Sequence, residues 1–160
     1  MGKVVYTSKS TIERKRGPLR IAHLPGEAQP VVYSVHGAIA EHYKVDPAKV
    51  NESHAATIDY VISATAGWML GTFGGALEAR QIDASDGRLT ADVTGEVEPE
   101  EGVLVIRRIH VSKCPVAPED LKEKVERTHA LYPMNCPLYR TLHNAIRLTS
   151  SVELVRASAS

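Results

Sequence analysis

The sequence predicts an α+β fold, an order β-β-β-α-β-β-α-α-β built round one long buried central helix. Three observations carry this. Apolar and polar residues alternate with period 2, most clearly over 88–98, which marks half-buried strands. The stretch from about 54 to 82 is apolar round most of its circumference, the mark of a helix enclosed by other structure. Two later segments, 118–131 and 135–148, carry apolar residues at the spacing of helices with one inward face. A chain of 160 residues makes one domain, with a core that needs no metal or disulfide.

The elements follow in order. Residues 3–8 read as a short strand. The stretch 9–20 carries Lys9, Arg14, Lys15, Arg16 and Arg20 with a Gly17–Pro18 turn, a solvated hairpin or loop. A second strand covers 19–24 and ends at Pro25–Gly26. A third is expected over 31–45, where Val31, Tyr33, Val35, Ile39, Tyr43 and Val45 share one parity, and Pro47 breaks it. The long helix runs from about His54 to Ile82 with Ser53 as N-cap. Its glycines, Gly67, Gly71, Gly74 and Gly75, cost about 1 kcal/mol each relative to alanine. Close approach of another helix or strand along Ala66, Gly67, Gly71 and Gly74 would offset that.

Strand 88–98 turns at Glu101–Gly102 into strand 103–113 to make a hairpin. The second strand has an ambiguous parity, because Arg107 and His110 fall on opposite faces. Pro118 opens a helix to 131 and Pro133 ends it. A third helix is expected from Asn135 to about Leu148, with Leu138, Leu142 and Ile146 on one stripe. Residues 151–156 read as a last strand and the tail as frayed.

Lysine plus arginine equals aspartate plus glutamate at 19 each, so no net field attracts nucleic acid or an anionic membrane. Low net charge permits a homo-oligomer. Residues 60–77 carry no charge, but glycine and alanine dominate and the flanks are not anchors. A buried helix is expected there, not a membrane span. The N-terminal segment lacks the apolar core of a secretory signal, which predicts a cytoplasmic protein with Cys114 and Cys136 reduced. Metalloprotease, paired-cysteine, phosphate-loop, dinucleotide and nucleophile-elbow motifs are absent, and the seven histidines are scattered. No metal or cofactor is expected.

The best local chemical signal is Asn135–Cys136–Pro137. Either helix register puts the thiol at a helix N-terminus, where unpaired N–H groups favour a thiolate. Burial for packing alone stays open, since cysteine is among the most enclosed residue types. Asp59 or Glu52 could act as a base, but nothing local pairs either with a nucleophile.

Taken together, HAATIDYVISATAGWMLGTFGGALEARQI, LTADVTGEVE, VLVIRRIHV and APEDLKEKVERTHALYPMNCPLYRTLHNAI resemble the central helix, hairpin and closing helices of the OsmC/Ohr hydroperoxide-resistance family. The resemblance covers about 54–154. It implies an intertwined homodimer with sites at the interface. It also implies a first cysteine that attacks the peroxide and a second that resolves the sulfenic acid as a disulfide. By position the second cysteine is Cys136. The first is Trp68, which has no sulfur. The family's glutamate falls near Ile58 or Asp59, and its arginine is Arg14, Arg16 or Arg20. The resemblance thus implies a site lined by Trp68, Asp59, Arg16 and Arg20 with two-cysteine chemistry lost, and a small organic ligand or hydroperoxide as partner. The alternatives are a peroxidase using Cys136 alone and a purely structural or partner-binding protein.

Overall fold

The computed structural model describes residues 2–46, 48 and 54–157. The expected cap Ser53, the candidate base Glu52, the breaker Pro47 and the last three residues lie outside them. The chain forms two compact units, 1–60 and 61–160.

In the first unit β1 (Thr11–Arg14), β2 (Arg20–His23) and β3 (Val31–Tyr33) make an antiparallel sheet in that order. Lys15 and Leu19 close the β1–β2 turn by a backbone bond of 3.0 Å, and Gly17 takes a positive φ there. No strand covers 3–8; the first strand instead falls in the basic stretch 9–20. The expected strand 31–45 is also corrected. It stops at Tyr33, and helix α1 (Gly37–His42) follows. Ile39 and Tyr43 share a strand parity, but they are also four apart, and the Tyr43 amide donates to the Ile39 carbonyl at 3.2 Å.

The long helix α2 spans Thr57–Glu78. The Asp59 carboxylate accepts the Ala56 amide at 2.7 Å, one half of a capping box. Past its last turn Gln81 takes φ +62° and the Ile82 amide returns to the Leu77 carbonyl at 3.0 Å. From Val61 onward α2 belongs to the second unit. Ile62, Thr65, Ala66, Met69, Phe73, Gly74 and Leu77 line its buried face, while Val61 and Trp68 stand outside.

Strand β4 (Leu89–Glu100) pairs antiparallel with β5 (Val103–Ala117). Glu96 faces Arg108 and Val97 faces Ile106, so Arg107 is an extra residue. That bulge resolves the ambiguous parity: Arg107, Arg108 and His110 are all exposed. Gly95 is required by the helix above it. A Cβ there would lie 2.2 Å from Cδ1 of Ile62.

After the short 3-10 helix Glu119–Leu121 comes α3 (Lys122–Leu131), then the 3-10 helix Pro133–Asn135 and α4 (Pro137–Leu142). The expected helix to Leu148 therefore ends early. Strand β6 (Arg147–Val152) takes over and pairs parallel with β5. Parallel pairing needs a long crossover, here α3 and α4, and leaves no local mark in the sequence. Two residues, β7 (Val155–Arg156), add to β5 further on.

Candidate functional site

Strand β5 alternates inward from Ile109 through Val111 to Lys113, and all three are fully buried. Lys113 is thus a cation on an apolar face. Among the described residues its Nζ has no hydrogen-bond partner. It lies 4.6 Å from the Tyr132 ring centroid and 5.7 Å from that of Phe73. Phe73 comes from α2, whereas Tyr132 sits at the end of α3. His129, one turn before Tyr132, packs edge-on against Phe73 with centroids 5.6 Å apart. On β6, Ser150 Oγ lies 3.0 Å from His129 Nε2 and 3.4 Å from the Tyr132 hydroxyl.

Cys136 follows Tyr132 by four residues. The Asn135 amide donates to the Tyr132 carbonyl and the Cys136 amide to that of Pro133, a tight turn that carries the thiol back into the interior. Cys136 is 0% exposed and free. It is the N-cap residue of α4 with Pro137 next, as expected, but that helix is only six residues long and the side chain makes no capping bond. Cys114, on the opposite parity of β5, is also free.

The electrostatics follow from enclosure. Burial pushes the Lys113 ammonium down to about 8, against a smaller upward pull from Cys136. Burial, then the Lys113 charge, pushes His129 down to about 4. The Tyr132 phenol is pushed up to about 12 by burial, with the Ser150 contact pulling the other way. Near neutral pH His129 and Tyr132 are therefore uncharged.

Trp68 stands on the outer face of α2, 55% exposed. In the first unit Asp59 pairs with His36 at 2.7 Å while it caps Ala56. Arg20 donates from Nη2 to the Ser34 carbonyl at 3.4 Å, and its Nε and the Ser34 hydroxyl are buried without partners among the described residues. Arg16 is exposed, and its carbonyl accepts the Leu19 amide in the hairpin turn. Among the described residues neither arginine bonds to Asp59. His36 and Lys113 escaped the sequence reading. Counting by two from Ile109 and Val111 marks Lys113 as inward; His36 has no comparable signal.

The arrangement is that of an α+β protein whose second unit encloses a free thiol and, among aromatic rings, a lysine. The model of the OsmC-like protein family matches residues 51–151, and the chain belongs to that family. Solved structures agree on the fold. An OsmC-like protein from Mycoplasma pneumoniae superimposes with a TM-score of 0.70 at 15% identity, covering 96% of this chain and 99% of that one. An OsmC-like protein of unknown function from Vibrio cholerae gives 0.71 at 12%, covering 93% and 100%. The organic hydroperoxide resistance protein OhrB of Bacillus subtilis gives 0.58 at 13%, covering 95% and 100%. No curated protein matches the sequence significantly. Among the described residues no helix is long and apolar enough to cross a membrane.

Proposed function

We propose that this chain is an OsmC-like protein that has lost two-cysteine hydroperoxide reduction and instead binds a small organic molecule at a homodimer interface. One observation carries the reading. The resemblance puts Trp68 at the position of the family's attacking cysteine and Cys136 at that of the second, and Cys136 is fully enclosed. Indole cannot attack an O–O bond or carry a sulfenic acid. The exposed outer face of α2, with Trp68 and Val61 standing out, supports a second copy as the cover. A solved structure of similar fold, from a candidate organic hydroperoxide resistance protein of Vibrio cholerae, holds captopril in one active site, which supports a small organic ligand.

The test is consumption of an organic hydroperoxide with dithiothreitol or a lipoylated reductant. Turnover is expected about three orders of magnitude or more below a two-cysteine relative, the scale of losing a nucleophile. Robust turnover that vanishes in Cys136→Ser would overturn this reading and establish a second one, a single-cysteine peroxidase. One observation favours that alternative: Lys113 is a buried cation whose ionisation is lowered by burial and raised, to a smaller extent, by the charge of Cys136. Light scattering at micromolar concentration tests assembly; a monomer would refute the dimer.

A further inference from the structure

We propose that the basic cleft between the end of α2 and α3 binds a small soluble phosphate monoester. None of its residues belongs to the candidate site above, so the proposal stands or falls apart from hydroperoxide reduction.

The cleft holds about 310 Å³ and is lined by Arg80, Lys124, Arg127, Thr128 and Leu131, all of the second unit. Positions 124, 127, 128 and 131 are three and four apart, so they share one face of α3. Main-chain carbonyls at the end of α2 hold two of the cations in place. Arg80 donates from Nη1 to the Ala76 carbonyl at 2.8 Å, and Lys124 donates from Nζ to the Arg80 carbonyl at 2.7 Å. A helix C-terminus favours cations at such places. The carbonyls fix the side chains but carry no net charge, so the positive charges of Arg80, Lys124 and Arg127 remain around one space.

Among the described residues no carboxylate lines the cleft, and none of these cations pairs with one. Arg88, Arg107, Arg108 and Arg156 each do. The other flank of α3 differs as well. Its cleft brings Glu119, Glu126 and Glu153 together with Lys122 and Arg156, and Arg156 bonds Glu119 at 3.0 Å. Charge is therefore balanced on one side of the helix and left positive on the other. Lys124 and Arg127, three apart, repel each other along α3. A bound anion removes that cost.

The class of anion follows from the donors. A phosphate monoester carries about two negative charges near neutral pH and several strong acceptor oxygens, which suits a group of cations better than one carboxylate does. Arg80 and Arg127 offer planar forks matched to phosphate, and Arg80 and Lys124 keep N–H groups free beyond their carbonyl bonds. Thr128 adds no donor, because its hydroxyl is committed to the Lys124 carbonyl at 2.7 Å. Leu131 is 57% exposed and gives the carbon chain of an ester an apolar contact that inorganic phosphate cannot use.

The full chain is titrated with inorganic phosphate and with butyl phosphate at low ionic strength, and binding is read from backbone amide shifts in nitrogen-15 spectra. Saturating shifts are expected at Arg80, Lys124 and Arg127, with half-saturation at about 1 mM, within reach of so small a ligand. Butyl phosphate should bind about threefold tighter or more through Leu131. Arg127 is exposed and its side chain makes no bond among the described residues, so Arg127→Gln should leave the fold intact. It should weaken both ligands about fivefold or more. Arg147→Gln removes the same charge from β6, outside the cleft, and should leave both affinities unchanged. Shifts that are scattered over the surface, or absent at about 20 mM ligand, overturn the site. An equal loss in Arg147→Gln also overturns it, because general charge attraction would then explain the binding. Equal affinity for the two ligands overturns the assignment to an ester.

Discussion

Lys113 Nζ lies 4.6 Å from the centroid of the Tyr132 ring, so a strand cation and a helix-end aromatic share one closed space. This relationship has a stability consequence. Lys113 is pushed down to about 8 from 10.5, so between those values the unfolded chain holds more protons than the folded one. Stability should then rise with pH across about 8 to 10.5, with the cost of the enclosed ammonium fully present below 8. Tyr132, raised from 10.0 to about 12, acts the other way and lowers stability from about 10 upward. Thermal unfolding of wild type should improve from pH 8 towards 10 and then turn over. Lys113→Met should lack the improving limb. An unchanged limb in that variant would show that another group titrates there.

His129 sets the acid limb. It is pushed down to about 4 from 6.5, so the unfolded chain binds the extra proton across that window. Its contribution should be lost progressively as pH falls from about 6.5 to 4. His129→Gln should flatten this part of the curve, measured by denaturant unfolding at a series of pH values.

Gly95 and Ile62 form a contact that admits no side chain on the strand. Gly95→Ala would set a methyl 2.2 Å from Ile62 Cδ1. Ile62 is β-branched on a helix and has little freedom to turn away. The expected loss is about 1–3 kcal/mol in urea unfolding. Adding Ile62→Ala should recover part of it, because the two sites are coupled. A strictly additive double variant would show that the strand, not Ile62, gives way.

Trp68 offers the sharpest test of assembly. It is 55% exposed, on the same outer side of α2 as Val61. Built Cβ atoms at Gly67, Gly71 and Gly75 meet nothing within 4 Å. If a second copy covers this face, Trp68→Glu should give a monomer by light scattering with its helical circular dichroism intact. A dimer that survives the substitution places the interface elsewhere.

The elements legible in the sequence are those whose evidence is local. The β4–β5 hairpin follows from alternation around Glu101–Gly102, and α2 from a long apolar run without proline. Cys136 at the start of α4 follows from the Pro137 beside it. Over 143–148 Leu142 and Ile146 keep a helical spacing, while parallel pairing with β5 claims Arg147 onward. Strand β3 is shorter than its pattern for a related reason: a spacing of four satisfies both periods, and backbone bonding chose the helix.

Periodicity sufficed for the fold class and the residue order for the absence of a sulfur at position 68, since both are properties of the chain taken in order. The surroundings of Lys113 are not. Lys113, His129, Tyr132 and Ser150 come from a strand, a helix and a second strand, and their mutual distances exist only after β6 has crossed back to lie beside β5. Their ionisation is set by enclosure and by one another's charge, quantities that depend on three-dimensional separation and vanish in the unfolded chain.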